Sequence, residues 1–270
     1  MDLVAFSWKN INIYWYGMIT GIAVIFGLII CRINVWLYKA DFDVIVKIMV
    51  WAIPCSIIGA RIAYVLQNIE RFSSNPINSF YLWQGGLSIY GALVAFFAVC
   101  VIYLKRNPLE IFYWLDLIIP SIVFGLMILQ LANFMMQFSI GMPLGIDIPN
   151  DHTPAEYIKY KFRPSGFEGY LYFQPVAFYQ AIVHFCIFVL IMLLTFINKF
   201  FKLLNNGTIF LLALFLLAVS RFSFDFMYFS VNKDVILYPM QWIALFVMIS
   251  SVIFYIGKKF YKAKDFKERE

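Results

Sequence analysis

The chain has 270 residues, of which 63% are hydrophobic and only 13% charged, and its mean hydropathy is +0.81. A sequence this apolar lacks the polar surface to cover a water-exposed globule, which excludes an ordinary soluble domain. The net charge of +6 is carried by short basic groups between apolar runs rather than by a continuous stripe, so nucleic acid is excluded as a partner and the charge reads as membrane anchoring.

Crossing ~30 Å of hydrocarbon takes ~20 mostly apolar residues as a helix. Runs of that kind fall at about 14–31, 44–66, 86–104, 112–132, 174–197, 207–225 and 236–256. The pattern predicts an all-α integral membrane protein with about seven transmembrane helices in one polytopic domain (1–257), followed by a basic tail (258–270). The first run has a single lysine, Lys9, offset by Asp2, and no small-residue cleavage pattern after it, so it reads as a retained helix rather than a leader.

Basic residues orient the spans. With the N-terminus outside, the inner segments hold Arg32, Lys39, Lys47, Lys105, Arg106, Lys199 and Lys202, and the tail adds Lys258, Lys259, Lys262, Lys264, Lys267 and Arg269. The outer segments hold only Lys9, Arg71, Lys159, Lys161, Arg163 and Lys233. This asymmetry predicts a cytoplasmic C-terminus, with the tail on the anionic inner leaflet. One long external connection remains, at about 133–173. It is rich in proline and acidic residues, including Pro149, Asp147, Asp151 and Glu156, and is either a functional lid or a mobile tether.

Ionisable groups inside spans are costly and mark functional candidates. Arg61 lies in the second run, Asp116 in the fourth, and Arg221 and Asp225 in the sixth, four residues apart on one helix face. Such a pair either neutralises itself or holds an arginine toward a polar cavity, where a guanidinium suits an anionic head group. Uncharged polar groups collect near the outer ends of the spans: Trp15-Tyr16-Gly17, the segment Gly85-Gly86-Leu87-Ser88-Ile89-Tyr90-Gly91, Gln130 and Asn133 before Gly141, Gln174 and Tyr179, and Tyr238 and Gln241. Interfacial anchoring explains the aromatic members. It explains Gln130, Asn133 and the glycines poorly, and these point to a polar chamber open to the outer leaflet. Cys31, Cys55, Cys100 and Cys186 are scattered through apolar runs, and His152 and His184 stand alone, so neither a disulfide framework nor a metal site is expected. No cofactor motif is present.

In this order, these segments resemble the bacterial prolipoprotein diacylglyceryl transferases. The family's WYG falls on Trp15-Tyr16-Gly17, its GGR span on Gly59-Ala60-Arg61, and its double-glycine motif on Gly85 to Ala92. Its D-x-x-x-P falls on Asp116 and Pro120, its G-R-x-G-N-F-x-N-x-E-x-x-G signature on Leu129 to Gly141, its H-P-x-Q-x-Y-E on Gln174 to Gln180, and its R-F-x-x-E on Arg221 to Asp225. Departures are concentrated in polar positions. Gln130 replaces an arginine, Met136 an asparagine, Phe138 a glutamate, Tyr90 and Gln174 histidines, Gln180 a glutamate, and Leu217 a tyrosine.

The resemblance implies a multi-pass protein of the bacterial cytoplasmic membrane. Its implied activity is transfer of the diacylglyceryl group of phosphatidylglycerol to the lipobox cysteine thiol in the signal peptide of a prolipoprotein, without cofactor. It implies Arg221, Asp225 and Tyr90 as catalytic residues, and Tyr16, Arg61, Gln130, Asn133, Gly141 and Tyr179 as substrate-binding ones. A second reading is a catalytically lapsed paralog that binds lipid or prolipoprotein without transfer. A small-solute transporter is disfavoured by the lack of internal repeats and broken helices.

Overall fold

A computed structural model describes residues 4–8, 11–73, 75–81, 86–107, 110–146, 154–229 and 237–267. Gly85, Asp147, Pro149, Asp151, His152, Lys9 and Lys233 lie outside the described residues. Two short strands, β1 (Val4–Trp8) and β2 (Ile11–Tyr14), precede the helices α1 (Trp15–Leu37), α2 (Phe42–Gln67), the short α3 (Ile69–Ser73), α4 (Ile89–Arg106) and α5 (Ile111–Met136). Strands β3 (Pro143–Gly145), β4 (Glu156–Tyr157) and β5 (Tyr172–Phe173) follow, then α6 (Val176–Phe201), α7 (Thr208–Asp225) and α8 (Pro239–Lys267). Seven of these helices are long and apolar enough to cross a membrane, as the seven apolar runs predict. Two ends differ from expectation. Helix α1 runs on to Leu37, and α8 continues as one helix to Lys267 instead of stopping at the basic tail.

The chain packs as two compact units, whose boundaries fall within α1 and α5. The first comprises 1–5, 13–31 and 115–270; the second comprises 6–12 and 32–114.

In the second unit α2 lies against α4, and small residues let it do so. A Cβ on Gly59 would sit 2.6 Å from the Ala95 Cβ and 2.8 Å from the Gly91 carbonyl oxygen, while one on Gly91 would strike Ala63 and the Gly59 carbonyl. These residues make two small-xxx-small pairs, Gly59/Ala63 and Gly91/Ala95, the pattern by which membrane helices approach backbone to backbone. The Ser88 amide donates to the Ala60 carbonyl at 3.0 Å where the two helices meet. Gly59 and Gly91 therefore serve helix packing.

In the first unit the buried face of α5 runs through Leu117, Ile118, Ile119, Val123, Ala132 and Met136. Leu-, Ile- and Phe-rich faces of α1, α6 and α8 stay exposed, as lipid-facing surfaces do. At the start of α7, the buried Asp116 carboxylate accepts from the Gly207 amide at 2.5 Å and the Phe210 amide at 2.7 Å. Gly207 takes φ +86° to begin that helix. A carboxylate on the first free N–H groups of a helix satisfies them and complements the positive end of the helix dipole. Lys258 of α8 donates to the Asn206 carbonyl beside this cap.

The connection after α5 is built, not slack, where it is described. Helix α5 ends in a Schellman turn: Gln137 adopts φ +57°, its amide donates to Phe134, and the Phe138 amide donates to Asn133. The Gln137 side chain then donates to the Tyr157 carbonyl at 2.7 Å and accepts from the Lys159 amide at 3.3 Å. Strand β5 pairs antiparallel with both β3 and β4, in the order β3-β5-β4. Arg163 closes the remainder by donating to the Ile158 and Glu168 carbonyls at 2.9 and 2.8 Å.

Candidate functional site

The polar centre of the first unit forms where three chain segments converge on Gly141. Its neighbour Met142 donates to the Met227 carbonyl at 3.2 Å, Phe229 donates to Ile140 at 2.9 Å, and Gln174 donates to Met142 at 3.0 Å. Gly141 itself bridges to Tyr228 in antiparallel register. A Cβ at 141 would lie 2.6 Å from Val176 and closer still to the Gln174 carbonyl, so only glycine admits this convergence. Gly141 thus acts through geometry: it seats Tyr228 against α6 and α7.

Tyr228 links the polar groups. Its hydroxyl donates to Gln180 Oε1 at 2.6 Å, and its ring lies under the Arg221 guanidinium at 5.5 Å. Arg221 in turn holds Asp225 at 2.8 Å, one turn on along α7. Asp225 is the last residue of α7, where the helix dipole disfavours a carboxylate, and Arg221 offsets that cost. The Asp225 side chain is 7% exposed and the Arg221 side chain 31%.

The pair does not consume its own bonding capacity. Arg221 Nε and Asp225 Oδ2 are buried with no hydrogen-bond partner among the described residues, and so are His184 Nδ1 on α6, Ser220 Oγ on α7 and Gln241 Nε2 on α8. Leaving a buried polar atom unpaired costs about 1–3 kcal/mol, so five such atoms on three successive helices are far from random packing. Arg221 Nε and Asp225 Oδ2 are the two of them that lie on one ion pair, at the end of α7.

Other sequence-predicted residues of this unit take related or separate places. Asn133 donates to Gln130 Oε1 at 2.9 Å, so these two make an amide pair on the last turns of α5. The Tyr16 ring meets Phe138 edge-on at 5.7 Å, and Phe138 is 51% exposed. The Tyr179 hydroxyl donates to the Pro154 carbonyl at 3.3 Å, tying α6 to the connection that precedes it. In that loop, burial pushes the Glu156 carboxyl up to about 7, against the lowering effect of its bond with Gln137.

Arg61 and Tyr90 belong to the second unit. Arg61 is buried, and its Nε, Nη2 and Nη1 donate to the carbonyls of Ser79, Asn78 and Gly86 at 2.8, 2.7 and 3.0 Å. Tyr64 and Phe72 face the same guanidinium at 5.8 and 5.4 Å. Gly86 holds φ +82° against the Tyr64 ring, where any side chain would collide. Arg61 is therefore the post to which the backbone at Asn78, Ser79 and Gly86 is tied.

Asp116 is the clearest departure from expectation. Its position inside a span marks it as a functional candidate, but its carboxylate is committed to the N-terminus of α7. Tyr228 and His184 were not legible as site members. Tyr228 follows the apolar run of α7 with no motif to flag it. His184 reads as isolated because its neighbours come from other helices, although its spacing of four from Gln180 puts both on one face of α6.

Among groups of three or more His, Cys, Asp or Glu side chains in the described residues, none could hold a metal ion.

Comparison with known proteins covers nearly the whole chain. The family described as prolipoprotein diacylglyceryl transferase matches residues 3–257. A phosphatidylglycerol–prolipoprotein diacylglyceryl transferase of Clostridium botulinum (strain 657 / Type Ba4) is 30% identical over 224 residues, covering 82% of this chain and 84% of the relative. Proteins of the same name from Halalkalibacterium halodurans and Listeria welshimeri are 30% and 27% identical, covering 82% and 72% of this chain and 74% and 69% of the relatives. With seven apolar helices in place and the family match spanning them all, the chain belongs to the prolipoprotein diacylglyceryl transferase family.

Proposed function

We propose that this protein transfers the diacylglyceryl group of phosphatidylglycerol to the lipobox cysteine thiol of prolipoproteins, at the outer side of the bacterial cytoplasmic membrane. The observation that carries this reading is the Arg221–Asp225 pair, whose buried Nε and Oδ2 atoms have no partner among the described residues. In the reaction the thiol sulfur attacks the glyceryl carbon, the carbon–oxygen bond to phosphate breaks, and glycerol phosphate leaves. Negative charge therefore grows on phosphate oxygens, and the group that lowers the barrier is a cation already in place there. Arg221 meets that need as a planar donor fork. Asp225 fixes its orientation and Tyr228 supports its face. The amide pair of Gln130 and Asn133 offers neutral hydrogen bonds to the head group, and Tyr16 offers a hydroxyl near the outer end of α1. Arg61 acts within its own unit, where it holds the carbonyls of Asn78, Ser79 and Gly86 in place.

The lapsed-paralog reading draws on Gln130, whose oxygen is engaged by Asn133 and which brings no charge. One experiment separates the two. Purified protein in vesicles containing phosphatidylglycerol is given a synthetic lipobox peptide, and thioether product is followed by mass spectrometry. Transfer above the rate without protein supports the enzyme, whereas peptide or lipid binding with no product supports the paralog.

A further inference from the structure

We propose that His184 is the proton acceptor for the substrate thiol, an inference that rests on the transferase reading above. A thiol attacks as its thiolate, so the reaction needs a site that takes the sulfur's proton beside the phosphate clamp. At position 90 the family pattern has a histidine and this chain a tyrosine, a residue type whose unperturbed pKa of ~10 keeps it protonated near neutral pH. His184 is the one histidine among the described residues. It is 5% exposed on the buried face of α6, one turn from Gln180, which bonds Tyr228.

Its hydrogen bonding defines what it can do. The ring is bonded to the Leu126 carbonyl of α5, which fixes its orientation, and Nδ1 is left buried without a partner among the described residues. With one ring nitrogen donating to a carbonyl, the other carries a lone pair, the state of a base. Tyr228 connects this face of α6 to Arg221, its hydroxyl on Gln180 and its ring under the guanidinium. The charged groups on α5 and α7 are Asp116, Arg221 and Asp225, and Asp116 is already committed to the amides of Gly207 and Phe210. Asp225 is tied to Arg221 through Oδ1, so a proton taken up there would loosen the pair that holds the guanidinium in place.

The step balances without an added reagent. The thiol proton passes to His184 Nδ1 as the sulfur–carbon bond forms and the carbon–oxygen bond to phosphate breaks. The imidazolium then gives that proton to the departing phosphate oxygen held by Arg221. His184 returns to its neutral state, and the products are the thioether and glycerol phosphate.

Two substitutions test this in phosphatidylglycerol vesicles with a lipobox peptide. His184→Gln keeps a donor for the Leu126 carbonyl but removes the base. His184→Ala opens space for an added one. General-base loss typically costs about 10²- to 10⁴-fold, so both variants are expected to lower kcat by at least 100-fold with lipid binding and melting temperature retained. Added imidazole is expected to restore the alanine variant at least tenfold and leave the glutamine variant unchanged. The proposal is overturned if either variant keeps activity within threefold of the parent. It is equally overturned if imidazole restores nothing, or if both variants lose fold and lipid binding together, which assigns His184 a structural role. A parent protein that transfers nothing overturns the transferase reading itself, a result seen before any variant is made.

Discussion

Arg61 and Arg221 both sit within membrane-spanning helices, and the protein uses them in opposite ways. Arg61 is enclosed by backbone: three of its nitrogens donate to carbonyls of one loop and two aromatic rings cover it. Among the described residues Arg221 has one carboxylate and one ring and its Nε is unpaired, and nearly a third of its side chain is accessible. The carboxylates divide in the same manner. Asp116 spends both oxygens on helix amides, while Asp225 spends one oxygen and leaves the other open. A charge in a membrane helix is expensive either way. Whether it builds the scaffold or does chemistry depends on how much of its bonding capacity the scaffold consumes.

The largest stability effect expected from this contrast is at the closed arginine. Arg61→Ala leaves three loop carbonyls without their donors and is predicted to destabilise the protein by about 3–5 kcal/mol. Hydrogen exchange should show amide protection falling across 76–81 and 86–90 first. Unchanged protection there would mean that Arg61 does not hold the loop.

A smaller loss is expected at the closed carboxylate. Asp116→Asn keeps one acceptor oxygen but removes the charge from the α7 N-terminus, at a cost of about 1–2 kcal/mol. Thermal melting in detergent measures it, and transfer per folded molecule should stay within a few-fold. A hundredfold loss of turnover in a fully folded Asp116→Asn protein would put Asp116 back in the chemistry.

Much of this was legible before the structure. The seven helices follow from hydropathy because the bilayer demands long, internally bonded apolar segments. Arg221 and Asp225 were legible as a pair because i,i+4 spacing is a local property of one helix. The roles of Arg61 and Asp116 were not, because their partners lie 17 to 25 and 91 to 94 residues away along the chain. Gly141 was visible as a signature glycine, yet its reason, a convergence with 174–176 and 227–229, exists only in three dimensions. Tyr228 joined the site by that same convergence.

The connection between α5 and α6 offers a third kind of buried carboxyl and the mildest effect. Among the described residues Glu156 is neither capped by helix amides nor paired with a cation, and its pKa is raised from 4.5 to about 7. A carboxyl raised in the folded state holds its proton where the unfolded chain has lost it. Its linkage therefore favours the fold below about 4.5, and that advantage is lost progressively as pH climbs toward 7, with no further change above. Local exchange of amides 156–159 should accelerate over that window after correction for intrinsic rates. Glu156→Gln should make the profile flat, and an equal slope in both proteins would remove Glu156 as its source.

The contrast itself is tested most directly by measuring lipid transfer per folded molecule in Arg221→Ala and Arg61→Ala side by side, in the same phosphatidylglycerol vesicles. Removing a charge-stabilising donor typically costs about 3–4 kcal/mol of transition-state stabilisation. Arg221→Ala should therefore lose at least 100-fold in turnover per folded molecule, beyond whatever melting temperature it gives up by leaving Asp225 without its partner. Arg61→Ala should lose folded protein and keep most of the turnover of the molecules that remain folded. Parent-level turnover in Arg221→Ala, or a folded Arg61→Ala protein that is equally inert, would contradict the account.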